Sequence, residues 1–176
     1  QAASFDDCVL VTPDIDRFCS STAWVVSANE GLMEPRQSWL RRGQYGYAAL
    51  MGGQHPDGWL YLQPLESMWF LACPLVGKSV QKLVVEFAAD CREAEFPWDV
   101  LMLGGIVLGS PMGRAVVEEL SKTHNVLLGP TTRRHVIDLR SGVDDYLRGR
   151  TRNFRRNILR SQKKSAADGF TVERCG

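Results

Sequence analysis

Between Tyr45 and Gly77 three apolar, aromatic-rich runs alternate with stretches of turn chemistry, and no other feature limits the fold of this chain as much. The runs are YGYAALMGG, GWLYLQPL and MWFLACPLVG, separated by Gly52-Gly53, Pro56-Asp57-Gly58 and Pro64 to Ser67. Aromatic and β-branched side chains suit a pleated surface, and Gly, Pro and Asp supply turn dihedrals. Three such runs in succession predict an antiparallel meander. From Ser79 to Cys91 the period becomes helical, with Val80, Leu83, Val84, Phe87 and Ala88 on one side. A sheet with a helix laid on it is the expected core.

The flanking sequence extends this core. Cys8 to Val11 reads as a short strand, and Thr12-Pro13-Asp14 as the start of a helix around Ile15 to Phe18. Ser21 to Leu32 reads as a helix with Trp24, Val25, Ala28 and Leu32 at helical spacing. Glu34-Pro35 is expected to open a short helical piece through Trp39 and Leu40, ending at Gly43, and both Trp24 and Trp39 read as packing residues. After Pro97, WDVLMLGGIV has strand length and little alternation, which predicts a central strand buried on both faces. Ser110-Pro111 caps a helix carrying Met112, Ala115, Val116 and Leu120, and Asn125 to Leu128, His135 to Leu139 and FTVERC read as further strands. This order predicts an α+β fold, a mixed and largely antiparallel sheet flanked by helices, and fits a parallel doubly wound sheet poorly. Glycines 104, 105 and 109 lie between strand and helix, but GGIVLG lacks the lysine of a phosphate loop and the spacing of a dinucleotide fingerprint.

A hydrophobic content of 44% and a charged content of 23% over 176 residues are those of a globular protein of about one domain. The net charge of +1 hides an uneven distribution: residues 1–132 carry 9 basic and 15 acidic side chains, residues 133–176 carry 12 and 5. The C-terminal quarter is built to meet something negative. Cysteines 8, 19, 73, 91 and 175 are odd in number and never form a CxxC pair, which argues against zinc knuckles and disulfide scaffolds and favours reduced thiols in a cytoplasmic setting. No metal site is expected. No apolar run reaches the roughly 20 residues that a membrane span needs, and the first residues carry neither the basic start nor the apolar centre of a signal peptide.

The positive charge concentrates in DDYLRGRTRNFRRNILRSQKKSAADG, from Asp144 to Gly169. Aspartates at 144 and 145, lysines at 163 and 164 and the glycine at 169 mark a helix start and stop, and Gly149 divides the stretch in two. Phe154, Ile158, Ser161 and Ser165 form a narrow, weakly apolar stripe, with Arg152, Arg156, Arg160 and Lys163 along an adjacent flank. Two readings stay open, a solvated face or a surface for phosphates and carboxylates. On the second, the candidate substrate- or anion-binding residues are Arg152, Arg155, Arg156 and Arg160. Phe154 is the helix's single aromatic and is expected to face the core, which speaks against nucleic acid as the partner. Candidate bases (Glu66, Asp99, Asp138, Asp144 and histidines 55, 124 and 135) are scattered, Asp99 reads as a strand-end or cap residue, and no catalytic residue is assigned.

WDVLMLGGIVLGSP at 98–111 and VIDLRSGVDDYLRGRTRNFRRNILRSQKKSAADGFTVE at 136–173 resemble GNAT-type acetyltransferases of the FemAB-like, cellulose-biosynthesis (CelD/BcsL) group. Asp99, Tyr146, Leu147, Arg150, Arg152, Asn153, Phe154, Arg155, Arg156 and Gly169 stand at matching positions, and ACPLVG at 72–77 and SSTAWVVSA at 20–28 resemble two further segments. The resemblance implies two GNAT-like halves in one chain, with the first at 1–143 and residues 144–176 opening a truncated second. It implies acetyl-CoA or another acyl-CoA as cofactor, bound in the second half and so outside this chain, where no coenzyme-pyrophosphate loop is found. The implied partners are the missing C-terminal half or a second copy, and an anionic small-molecule or saccharide substrate. The implied function is acyl transfer to an amino group of a sugar, polysaccharide or cell-envelope precursor. The alternatives are a tRNA-dependent aminoacyl transferase of the FemAB type, or a binding module that docks an anionic partner through the basic helix.

Overall fold

Nine residues, Gly46–Gln54, form the strand (β2) on which the sheet is assembled. Ala48, Ala49, Leu50 and Met51 are all buried, so both of its faces are covered. Strand β1 (Gln37–Arg42) lies antiparallel along one edge, with Gln37 opposite Gly52 and Arg42 opposite Tyr47. The other edge is shared end to end. β3 (Leu60–Pro64) places Leu60 opposite Gln54 and Pro64 opposite Leu50, and β4 (Leu75–Gly77) places Leu75 opposite Ala48 and Gly77 opposite Gly46. β3 and β4 are therefore one strand line, broken where residues 65–74 leave the sheet opposite Ala49, whose N–H is met by the Pro74 carbonyl at 2.9 Å. Helix α4 (Val80–Arg92) then carries the chain over to β5 (Val100–Leu101), which pairs in parallel with β3. The fold is α+β, with a mixed and mostly antiparallel five-stranded sheet, as the element order predicts.

This computed structural model describes residues 4–32, 37–93, 97–131 and 137–171. In it, α4 buries Val80, Leu83, Val84, Phe87, Ala88 and Cys91, and α5 (Pro111–Leu120) adds Met112, Ala115, Val116 and Leu120. These side chains meet Trp39, Leu50, Leu62 and Leu75 in the main core. Full burial of each large member contributes about 1.5–3 kcal/mol. Leu75 and Val76 are neighbours in β4 and point to opposite faces, so Val76 joins a second, smaller cluster with Cys8 and Val9 of α1 (Phe5–Val11). Helices α2 (Arg17–Ser20) and α3 (Thr22–Leu32) follow.

Several sequence expectations are corrected. Cys8 to Val11 is helical, because Ser4 and Asp7 form a capping box: the Asp7 N–H donates to Ser4 Oγ at 3.2 Å and the Ser4 N–H donates to Asp7 Oδ2 at 2.9 Å. Thr12 ends that helix, and Asp16 caps the next by accepting the Cys19 N–H at 2.7 Å. The helical piece expected through Trp39 is strand β1, which alternates so that Trp39 enters the core opposite Leu50 while Leu40 faces outward; Glu34-Pro35 falls outside the described residues. WDVLMLGGIV supplies two paired residues at the sheet's edge, and Gly105 at φ +65° turns the chain away. Asn125 to Leu128 and residues 137–139 form no strand, and Leu127, Leu128, Ile137 and Leu139 are exposed. Of FTVERC, Phe170 and Thr171 are described and lie in no strand; the remainder, like His135, falls outside the described residues.

The chain divides into two compact units, Gln1–Leu128 and Gly129–Gly176. The second holds α6 (Val143–Arg148) and α7 (Arg152–Ala167). Among the described residues no helix is long and apolar enough to cross a membrane.

Candidate functional site

The basic stretch folds as two helices, and the break falls at Gly149, which caps α6. Asp144 and Asp145 occupy the first turn of α6, favourable at the positive end of the helix dipole, and Asp145 pairs with Arg148 at 2.9 Å. Thr151 begins α7 by accepting the Phe154 N–H at 3.3 Å, and Gly169 at φ +77° follows its C-terminus. Arg150 lies over the Tyr146 ring at 4.4 Å, and Tyr146 receives the edge of Phe154 at 6.5 Å between ring centroids. Arg155 donates to the Arg148 carbonyl at 3.1 Å, which ties the two helices together.

Of the candidate anion-binding residues, Arg155 is thus partly occupied, while Arg152, Arg156 and Arg160 stand exposed on successive turns of α7. Among the described residues none of these three, nor Lys163 or Lys164, has a carboxylate partner. No residue of α7 is buried, and Ile158 and Ser165 of the expected stripe are half-buried. Phe154, expected to face the core, is substantially exposed. What the helix offers is a row of guanidinium groups along about 12 Å of axis, with an aromatic pair at one end.

The other candidate residues are held in local structure. Asp99 Oδ2 accepts the Leu60 N–H at 2.7 Å, while its own N–H donates to the Leu60 carbonyl at 2.8 Å, so it closes the end of the β3–β5 pair as a strand-end residue. His55 stacks on Trp59 at 4.3 Å and accepts the Asp57 N–H, and His124 stacks on Trp98 at 5.2 Å. Asp138 is gripped by Arg140, whose side-chain hydrogen bonds hold its carboxyl below the usual range. Cys73 and Cys91 are buried, and burial pushes both thiols up to about 12, so neither is a nucleophile at neutral pH. A shallow depression between the 105–110 turn and α5 is lined by Leu108, Val117 and Leu128 and rimmed by Arg114 and Glu118; it holds no converging polar groups. Among the described residues no three His, Cys, Asp or Glu side chains gather as a metal site.

One constellation escapes the sequence reading. Where β3 and β4 separate, Glu66 is 1% exposed and accepts the N–H groups of Trp69 at 2.7 Å, Leu71 at 2.9 Å and Ala72 at 3.4 Å. Ser20 accepts the Cys73 N–H at 3.0 Å, and Gly105 donates to the Phe70 carbonyl at 2.9 Å. Phe70 sits at φ +52°, a left-handed conformation costly for a bulky residue. The loop is fixed from within, yet Met68, Trp69 and Phe70 are 53, 49 and 40% exposed. In the sequence MWF reads as the start of a strand, and only its lack of alternation marks it otherwise.

Compared with protein-family models, with curated proteins and with solved structures, the chain matches none.

Proposed function

We propose that this chain is the N-terminal part of a GNAT-like N-acyltransferase that moves an acyl group from acyl-coenzyme A to an amino group of a sugar, polysaccharide or cell-envelope precursor. The observation that carries the reading is the exposed row of Arg152, Arg156 and Arg160 on α7, free of carboxylate partners among the described residues and shaped for phosphate or carboxylate groups. The resemblance noted above supplies the reaction class. In this reading the arginines gather an anionic acceptor or the coenzyme phosphates. The base that deprotonates the amine and the donor that meets the developing oxyanion come from the other half, since Glu66, Asp99 and Asp138 are engaged in structure here. The reduced, buried thiols Cys8, Cys19, Cys73 and Cys91 fit a cytoplasmic setting.

Calorimetric titration with acetyl-CoA tests this on the 176-residue chain and on a version extended past Gly176. The expected result is binding by the longer chain alone, weakened about thirtyfold when Arg156 and Arg160 both become Gln, since each guanidinium–phosphate pair is worth on the order of 1 kcal/mol. Binding by neither chain removes the coenzyme from the reading.

A second reading, aminoacyl transfer from tRNA, gains from the exposed Phe154 packed on the half-buried Tyr146 beside Arg150, because single-stranded nucleic acid binds on aromatic faces set among cations. Its mark is a steep fall of tRNA affinity with salt.

A further inference from the structure

Stability alone does not explain the 65–74 loop, which strains Phe70 and buries a carboxylate in order to hold three large apolar side chains in water. The aromatic surface extends past the loop. Trp24 of α3 lies between Trp69 and Phe18 of α2, at 5.8 and 5.5 Å between ring centroids, and Phe18 is 65% exposed. The segment Phe5–Leu32, which carries Phe18 and Trp24, is acidic: it holds Asp6, Asp7, Asp14, Asp16 and Glu30, with Arg17 as its single basic residue. An apolar surface on acidic helices, held rigid in advance, fits a helix with an apolar stripe and basic flanks. Pre-ordering lowers the entropy cost of docking, which gives the Glu66 clamp a purpose.

The same chain carries such a helix. α7 has Phe154 and Ile158 on one stripe, Arg152, Arg156, Arg160 and Lys163 beside it, and no buried residue. Residues 1–128 carry 9 basic and 15 acidic side chains and 129–176 carry 12 and 5, so two copies are complementary in charge as well as in apolar surface. An anionic bilayer, the other surface that takes exposed Trp and Phe side chains, is disfavoured by the net acidity of the segment that carries Phe18 and Trp24.

We propose that the face formed by Phe18, Trp24 and the Met68–Phe70 loop is the docking site for α7 of a second copy. Each protomer gives one helix and receives one, which closes a symmetric dimer. This interface does not depend on the acyl-transfer reading.

Sedimentation of the full chain tests it. The expected result is a dimer at roughly 100 µM in about 50 mM salt that dissociates at least tenfold more readily in about 500 mM salt, where screening is within about 4 Å. Trp69→Ala, at an exposed position, is expected to weaken the dimer tenfold or more. Two charge-reversed variants give the decisive arm: D14K/E30K alters the acidic face, and R156E/R160E alters the helix. Each alone is expected to dimerise at least tenfold more weakly, since Phe5–Leu32 goes from net −4 to 0 in one and α7 from +6 to +2 in the other, and their mixture is expected to favour a heterodimer, which keeps one unaltered face–helix pair. A wild-type chain that stays monomeric at the lower salt overturns the proposal, as does a dimer indifferent to Trp69→Ala and to both reversals.

Discussion

Glu66 directs its two oxygens at three backbone N–H groups of the loop it holds, a geometry that suits an ionised acceptor. Glu66→Gln keeps the size and turns an amide N–H₂ toward donors. The expected loss is about 2–3 kcal/mol, read as a fall in the urea midpoint at unchanged slope. A variant within about 0.5 kcal/mol of wild type shows that the clamp contributes little. Phe70 offers a paired test. A left-handed conformation costs an L-residue about 1–2 kcal/mol, so Phe70→Gly and Phe70→Ala both lose the packing on Gly104 while the glycine variant alone sheds the strain. Phe70→Gly is expected to be the more stable of the two by about 1 kcal/mol. Cys73 makes a pH prediction. Burial raises its folded value from the ordinary 9.0 to about 12, so the neutral thiol's contribution is complete below pH 9.0 and is lost as pH rises toward 12. Wild type is therefore expected to lose stability relative to Cys73→Ala above pH 9.0, checked by paired urea titrations.

Among the elements, those marked by strong local chemistry are legible in the sequence. The apolar faces of α4 and α5, the Ser110 cap and the Gly149 break all stand where spacing and capping put them. The misreadings arise where a short apolar run has no periodicity to decide it. Cys8 to Val11 is too brief to distinguish strand from helix, and the deciding signal is polar, at Ser4 and Asp7. WDVLMLGGIV looks like a central strand until Gly105, with Ala72 carbon 2.4 Å from where its Cβ would sit, diverts it against the loop. Pairing partners of that kind are tertiary facts. Local chemistry does predict behaviour at the α6–α7 junction. Gly149 has φ −75° and ψ −4°, which any residue adopts, and an added Cβ meets the Tyr146 carbonyl at an ordinary 3.5 Å. Gly149→Ala is expected to be tolerated, with a small gain in helical circular dichroism, while Thr151→Ala loses the cap and about 1 kcal/mol of helix stability.

For the molecule as a whole, the charge split between the two units is plain in the sequence, and so is the basic helix; the aromatic face is not, because its members lie at 18, 24 and 68–70 and come together through the break between β3 and β4. Burial is just as uneven. The first unit contains the sheet and the core, whereas α6 and α7 bury no residue. A helix of 16 residues without a buried face is marginal in water, so its order depends on whatever covers it. Native-state hydrogen exchange makes this measurable. Amides of β2 and α4 are expected to exchange through global opening, and those of α7 in dilute monomer through fraying, faster by several orders of magnitude. Raising protein concentration at low salt is expected to slow exchange across α7, and to slow it together with the amides of the 66–72 loop if the two surfaces cover one another. α7 protection equal to that of α4 in dilute monomer would show instead that the helix is already covered within its own chain.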